Sequence, residues 1–176
     1  MTLDEIQDYA LGLAKKARSA SAHIRTVHAD VRNKVLFEVA SSLRANEKII
    51  LEENAKDLAA FKDKLTPAKY DRLTLNHERL EGIAKGVEQI ATFADPLGKV
   101  LEKRQLENGV DISRVTVPLG CVFFIYESRP NVTIDGAALC FKAGNAVVLR
   151  GGKESLHSSK ILAKIFREAL QKFDEW

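Results

Sequence analysis

Cysteine is scarce in this chain and stands where little chemistry can use it. Cys121 and Cys140 are the only two among 176 residues, and both lie inside apolar runs. That placement predicts two reduced, buried thiols in a cytoplasmic protein, not a disulfide framework. Neither stands at a loop where a thiolate meets a substrate. A metal cluster is lacking too, because His23, His28, His77 and His157 are scattered without ligand spacing. The two common nucleotide fingerprints, G-x-G-x-x-G and the Walker sequence, are missing, and no Ser, His and acid arrangement suggests itself. The N-terminus (MTLDEIQDYALGLAKKAR) carries acidic residues where a signal peptide is basic and has no apolar h-region. No apolar run reaches the length of a membrane span. Charge of one sign is also in short supply: 27 Lys and Arg face 24 Asp and Glu, spread along the chain. That balance speaks against nucleic acid as a partner, and Lys15, Lys16, Arg18 and Arg25 read as a solvated helix face.

What is present is a globular composition, 45% hydrophobic and 29% charged. Residues 1–95 read as helices. Thr2 with Glu5 matches a capping box ahead of Leu3, Ile6, Tyr9, Ala10, Leu13, Ala14 and Ala17 at helical spacing. Asp30 is placed to cap a second helix with Val31, Val35, Leu36, Val39, Ala40 and Leu43 inward. Asn46 is placed to start a third with Ile49, Ile50, Leu58 and Ala59 inward. Thr66-Pro67 is an N-cap followed by proline at the first helical position. Leu80, Ile83, Ala84, Val87, Ile90 and Ala91 mark one more amphipathic helix, stopped near Asp95-Pro96.

Residues 96–117 change character. Charged strands joined at Asn108-Gly109 predict a hairpin standing proud of the body, and the slip in alternation between Ile112 and Val115 predicts a bulge or twist. From residue 118 onward the pattern is strand, helix, strand, helix, which predicts a parallel α/β unit. The continuous apolar run 120–126 predicts a strand buried on both faces. Asn131 to Ala143 reads as a helix ended by Gly144, 145–150 as a second strand, and Glu154 to Phe173 as a last helix. The expected fold is therefore α/β: a helical block over 1–95, a protruding hairpin over 96–117, and the first βαβα units of a Rossmann-like sheet over 118–176. Two parallel strands are few for such a sheet, so its edge and at least one face are expected to lack a partner.

Ligands of open parallel sheets bind where strands run out into helices. One such junction is YESRPNVT, residues 126–133, where Pro130 forces Arg129 into extended backbone and Asn131 is expected at the helix N-cap. An N-cap asparagine is ordinarily structural; alternatively, its amide donates to an oxyanion. The other junction, Arg150-Gly151-Gly152-Lys153, is either a plain turn or a close approach for phosphate or ribose ahead of a helix N-terminus.

The segment PLGCVFFIYESRPNVTIDGAALCFKAGNAVVLRGGKES, residues 118–155, strongly resembles gamma-glutamyl phosphate reductase (glutamate-5-semialdehyde dehydrogenase) of the aldehyde dehydrogenase superfamily. The upstream order agrees: a helical block, Asp-Pro-Leu-Gly into a charged hairpin, then Pro-Leu-Gly. The resemblance implies NADPH-dependent reduction of L-glutamyl 5-phosphate to glutamate 5-semialdehyde in proline biosynthesis, through a cysteine thioester. It implies Asn131 as the oxyanion donor. Arg150, Gly151, Gly152 and Lys153 fall on the NADP(H) side, and Ser128, Arg129 and Pro130 on the nicotinamide or substrate lip. It also implies that the hairpin serves a homo-oligomer. Members of the family are longer, with their nucleophilic cysteine in a downstream domain that these residues lack. The expectation is an N-terminal portion, inactive by itself. The alternative is a non-catalytic module that binds a reductase or another partner through its open sheet edge.

Overall fold

The computed structural model describes residues 2–173, so the outer ends of the first and third expected segments lie outside the described residues. Five helices open the chain: α1 (Leu3–Ile24), α2 (Ala29–Ala45), α3 (Glu47–Phe61), α4 (Pro67–Leu73) and α5 (His77–Thr92). The Thr2–Glu5 capping box forms, and Thr66 caps α4 with Pro67 at its first position. Two expected starts move. The side chain of His28, not Asp30, caps α2, and Asp30 falls in the first turn where its charge still suits the helix dipole. Asn46 makes no side-chain cap for α3. Its amide instead donates back to the Ser42 carbonyl at 2.8 Å and closes α2.

The core is mainly helical. Val35, Leu36, Val39, Ala40 and Leu43 of α2 meet all six apolar positions expected in α5. A strand β3 (Cys121–Ile125), helix α6 (Pro130–Lys142), strand β4 (Ala146–Arg150), one 3-10 turn (Lys153–Ser155) and helix α7 (Leu156–Gln171) complete the body. Ile134 and Phe141 of α6 and Ile161, Leu162, Ile165 and Phe166 of α7 enter the same cluster. Phe141 and Phe166 meet edge to face, with ring centroids 6.1 Å apart. Gly144 ends α6 at φ +68°. There Gly144 N–H donates to the Phe141 carbonyl and Asn145 N–H to the Cys140 carbonyl, both at 2.9 Å, the paired bonds of a Schellman ending.

Three expected faces differ. In α1, Leu3, Ile6 and Tyr9 are exposed and burial begins at Ala17, because only the C-terminal half of this helix has a body to lie on. In α3, Ile49 and Ala59 face solvent, whereas Asn54 and Asp57 are buried beside Ile50. In β3, exposure alternates: Cys121, Phe123 and Ile125 lie on an open face, so neither double-faced burial nor a buried Cys121 holds. Among the described residues β3 pairs only with β4, in parallel, from Cys121↔Ala146 to Ile125↔Arg150. α6 covers one face of that pair and α1 also reaches the strands, chiefly at β4, so what stays open is the outward side of β3.

The hairpin consists of antiparallel strands β1 (Val100–Gln105) and β2 (Asp111–Val115), every residue of which is exposed. Gly109 takes φ +84° in its turn. The bulge lies on β1, where Leu101 is the extra residue between the pairs Val100↔Val115 and Glu102↔Arg114. Arg32, 3% exposed, anchors the hairpin's root by gripping both oxygens of Asp95 at 2.9 and 2.7 Å.

Candidate active site

The first strand-to-helix junction begins at Tyr126, whose N–H extends the ladder to the Arg150 carbonyl at 3.0 Å. The Tyr126 hydroxyl shares a 2.7 Å hydrogen bond with the Thr133 hydroxyl, so the strand end is tied to the first turn of α6. Arg129 holds extended backbone (φ −105°, ψ 110°) before Pro130, as a residue preceding proline must. Arg129 is therefore the N-cap and Pro130 the first helical residue, with no side-chain cap. Asn131 stands one position inside the helix, not at its cap. Its Nδ2 donates to Asp135 Oδ2 at 3.0 Å, one helical turn on. Burial pushes the Asp135 carboxyl up from its ordinary pKa, and the bond from Asn131 opposes that only in part.

The second junction leaves β4 at Arg150. Here the glycines answer a demand of the protein itself. A Cβ on Gly152 sits 2.0 Å from Ser128 Oγ, and one on Gly151 sits 3.0 Å from the Tyr126 ring. The two loops touch, and a side chain at Gly152 would push the Ser128 hydroxyl and the Glu154 carboxylate out of their places. Ser128 Oγ donates to Glu154 Oε2 across this contact, and that bond holds the Glu154 carboxyl below its ordinary range. Arg150 and Lys153 are exposed on the outer side.

The N-terminus of α7 is already filled. Asp57, 1% exposed, accepts from His157 N–H at 3.1 Å, Ser158 N–H at 2.8 Å and the Ser158 hydroxyl at 2.7 Å. An anion expected at those amides is thus a carboxylate of the protein. Asn54, also 1% exposed, donates to the Leu73 carbonyl and to Ser158 Oγ and accepts from Leu75 N–H. Sequence reasoning missed both residues, for their helix shows more apolar residues than its buried face uses.

A cavity of about 350 Å³ opens between the α4–α5 connection and the start of α6. Asn131 and Arg129 line it, and they are joined there by Asp135, Arg72, Arg79 and Ile83. The structure therefore divides the expected site: Arg129 and Asn131 face the cavity, Ser128 joins the Gly152–Glu154 loop, and Pro130 is buried between them. Arg79 is committed to its own loop, donating to the Thr74 carbonyl at 2.8 Å and Asp71 Oδ1 at 2.7 Å. Glu127 Oε1 lies 2.6 Å from Arg129 Nε and 4.0 Å from Arg72. Asp135 had a readable signal, the four-residue step from Asn131; Arg72 had none, since it comes from a distant helix.

Neither cysteine lines this cavity. Cys121 is exposed on the open sheet face, and burial pushes the half-buried Cys140 thiol up, away from thiolate. Among the described residues no group of His, Cys, Asp and Glu is arranged to hold a metal, and no helix is long and apolar enough to cross a membrane.

No family model matches the chain. A salicylaldehyde dehydrogenase from Pseudomonas putida, 17% identical, superposes over 92% of the chain with a TM-score of 0.69, which shows an aldehyde dehydrogenase-like fold. Within that fold the likeness narrows. The gamma-glutamyl phosphate reductase of Carboxydothermus hydrogenoformans is 50% identical over 93% of this chain. Crystal structures of gamma-glutamyl phosphate reductases from Thermotoga maritima and Saccharomyces cerevisiae, 37% and 36% identical, each cover 92% of it with TM-scores of 0.89 and 0.87. In sequence and in fold the chain resembles gamma-glutamyl phosphate reductase. It spans about 40% of the length of the curated relatives it matches.

Proposed function

We propose that these residues serve an NADPH-dependent reduction of L-glutamyl 5-phosphate to L-glutamate 5-semialdehyde and phosphate, as part of an N-terminal portion of a reductase. The observation that carries this reading is Asn131, whose amide stands on the first turn after β3 at the rim of a cavity and is oriented by Asp135. One proton of Nδ2 goes to Asp135, which leaves the other for a substrate oxygen. A donor fixed in this way stabilises the negative oxygen of a tetrahedral species without reorganising.

The residues at the second loop suit a phosphorylated dinucleotide. Arg150 and Lys153 are exposed cations beside a strand end, and with Asp57 occupying the α7 amides a phosphate there is met by side chains. NADPH, when bound, supplies the hydride. The thiolate that displaces phosphate comes from outside these residues, since neither cysteine here reaches the cavity. The 176 residues alone are accordingly expected to be inactive.

The same reading treats residues 1–95 and 118–176 as parts of one cofactor domain. It takes the exposed hairpin of 96–117 as the contact of a homo-oligomer and the cytoplasm as the setting. A second reading, a non-catalytic module that binds a reductase or another partner, is favoured by the open sheet face, where Phe123 and Ile125 are 63% and 62% exposed.

The test is Asn131→Ala in the full-length protein that carries these residues, assayed as NADP- and phosphate-dependent oxidation of glutamate 5-semialdehyde. Loss of an oxyanion donor costs kcat about 10²- to 10³-fold. An unchanged kcat removes Asn131 from the chemistry, and absence of any turnover by the unaltered protein turns the choice to the module.

A further inference from the structure

The cavity beside Asn131 holds more chemistry than an oxyanion donor needs. Two arginines, Arg72 and Arg129, converge on one carboxylate oxygen of Glu127 at 4.0 and 2.6 Å. The approach to Arg129 Nε is close but not aligned as a hydrogen bond, and that nitrogen is sealed from solvent with the Glu127 charge beside it and no hydrogen bond. Glu127 itself is 57% exposed and opens the loop between β3 and α6. A half-buried and an exposed guanidinium sharing one poorly aligned, exposed counter-ion is the arrangement of a carboxylate site occupied by a stand-in. Across the same cavity stands the opposite charge: Asp135, half-buried on α6, has one oxygen on Asn131 and the other without a hydrogen bond among the described residues. Arg79 is not available, being spent on Asp71 and Thr74. The floor between is apolar, with Leu75 and Ile83.

We propose that this cavity receives the amino-acid end of the substrate, an α-carboxylate taken by Arg129 and Arg72 in place of Glu127 and an α-ammonium taken by Asp135. The assignment rests on the reductase reading above and deepens it. A volume of about 350 Å³ matches a small polar metabolite. Because Asn131 lines the same wall, a short aliphatic chain held at its charged end places its far carbonyl against the amide. Burial holds the Asp135 carboxyl above its ordinary pKa, and an ammonium beside it opposes that shift by supplying a counter-charge. Arg72 comes from α4 and Asp135 from α6, so the helical block contributes substrate recognition and not only support for the sheet.

The test compares three aldehydes on the full-length protein in the oxidative direction: glutamate 5-semialdehyde, 5-oxopentanoate without the amine, and 4-aminobutanal without the carboxylate. A site built to bond a polar group rejects the analogue that lacks it. The unaltered protein therefore prefers glutamate 5-semialdehyde to both. Asp135→Asn should lower its preference over 5-oxopentanoate, and Arg72→Gln its preference over 4-aminobutanal, each about 10- to 100-fold and chiefly through KM. Arg72 is half-exposed, so its replacement leaves the core intact. If Asp135 only orients Asn131, kcat falls equally on all three aldehydes, the preferences stay, and the subsite is overturned while the reductase reading stands. No turnover of glutamate 5-semialdehyde by the unaltered protein overturns both.

Discussion

Replacing Asp57 by alanine tests the least expected feature of the fold. The carboxylate is 1% exposed and accepts three hydrogen bonds, two from the first amides of α7 and one from the Ser158 hydroxyl. Alanine leaves those donors without an acceptor, two of them at a helix N-terminus where a negative charge is favoured. A lost helix cap costs about 1 kcal/mol, and each further donor stranded away from water about 1–3 kcal/mol. The sum is about 3–7 kcal/mol, taken near its lower end because His157 N–H lies near solvent and recovers a water. For a chain of this size about 1 kcal/mol lowers Tm by roughly 2–4 °C, so Asp57→Ala should unfold on the order of 10 °C earlier in a calorimetric or circular-dichroism melt. Asp57→Asn keeps the volume and one acceptor and should lose about half as much. In a double-mutant cycle with Ser158→Ala the two losses should fall short of additive, because each removes the same hydroxyl–carboxylate bond. A melt within about 2 °C of the unaltered chain would show that Asp57 does not hold the start of α7.

The remaining expectations concern one backbone position and one ion-pair cluster. Gly144 sits at φ +68°, and a Cβ there comes within 2.8 Å of Leu97 Cδ1 and 3.1 Å of Pro118 Cγ; Gly144→Ala should destabilise by about 2–3 kcal/mol in a urea titration, and a neutral result would mean that the Schellman ending is not formed. Arg44 bonds both Glu81 and Glu88 and holds both carboxyls below their ordinary 4.5. Groups with depressed pKa values stabilise above the unfolded value and lose that stabilisation as pH falls through the folded one. Arg44→Gln should therefore lower Tm at neutral pH and make no difference in strong acid; an equal deficit at every pH would assign the effect to lost packing.

The amphipathic helices were legible because their environment is the ordinary one. Leu80 to Ala91 repeat at helical spacing and all six expected residues are buried, and Asn108-Gly109 marked its hairpin, although the turn formed is a three-residue loop between Leu106 and Val110 with Gly109 alone at positive φ. Misreadings cluster where a face is decided by something distant in sequence. α3 offers Ile49 and Ala59 as plainly as Ile50, yet the body it meets presents the polar start of α7, so Asn54 and Asp57 turn inward. The apolar run of β3 reads as doubly buried, but its outward residues Cys121, Phe123 and Ile125 stay exposed. In the candidate site, Asn131 and Arg129 could be found from their junction with the strand. Arg72 could not, since 57 residues separate it from Arg129, and only the packing of α5 against α6 brings the end of α4 to the same cavity.

A sheet of two strands cannot by itself hold two loops in register, for its own ladder ends at Tyr126 and Arg150. The positioning comes from below, through buried polar groups of α3. Asn54 ties the Leu73 carbonyl and Leu75 N–H, the edge of the cavity wall, to Ser158 at the start of α7. Asp57 fixes the same turn of α7 and hence the path of Gly151 to Lys153. Ser128 then locks that path to the first loop through Glu154. A hydrophobic contact in these places would bury as well but would permit sliding; hydrogen bonds with defined donors and acceptors do not. The chain thus places polar residues in the interior of a helix where apolar ones are expected, and the benefit lies in geometry, since the cavity that carries Asn131 and the loop that carries Arg150 and Lys153 are set by the same five side chains.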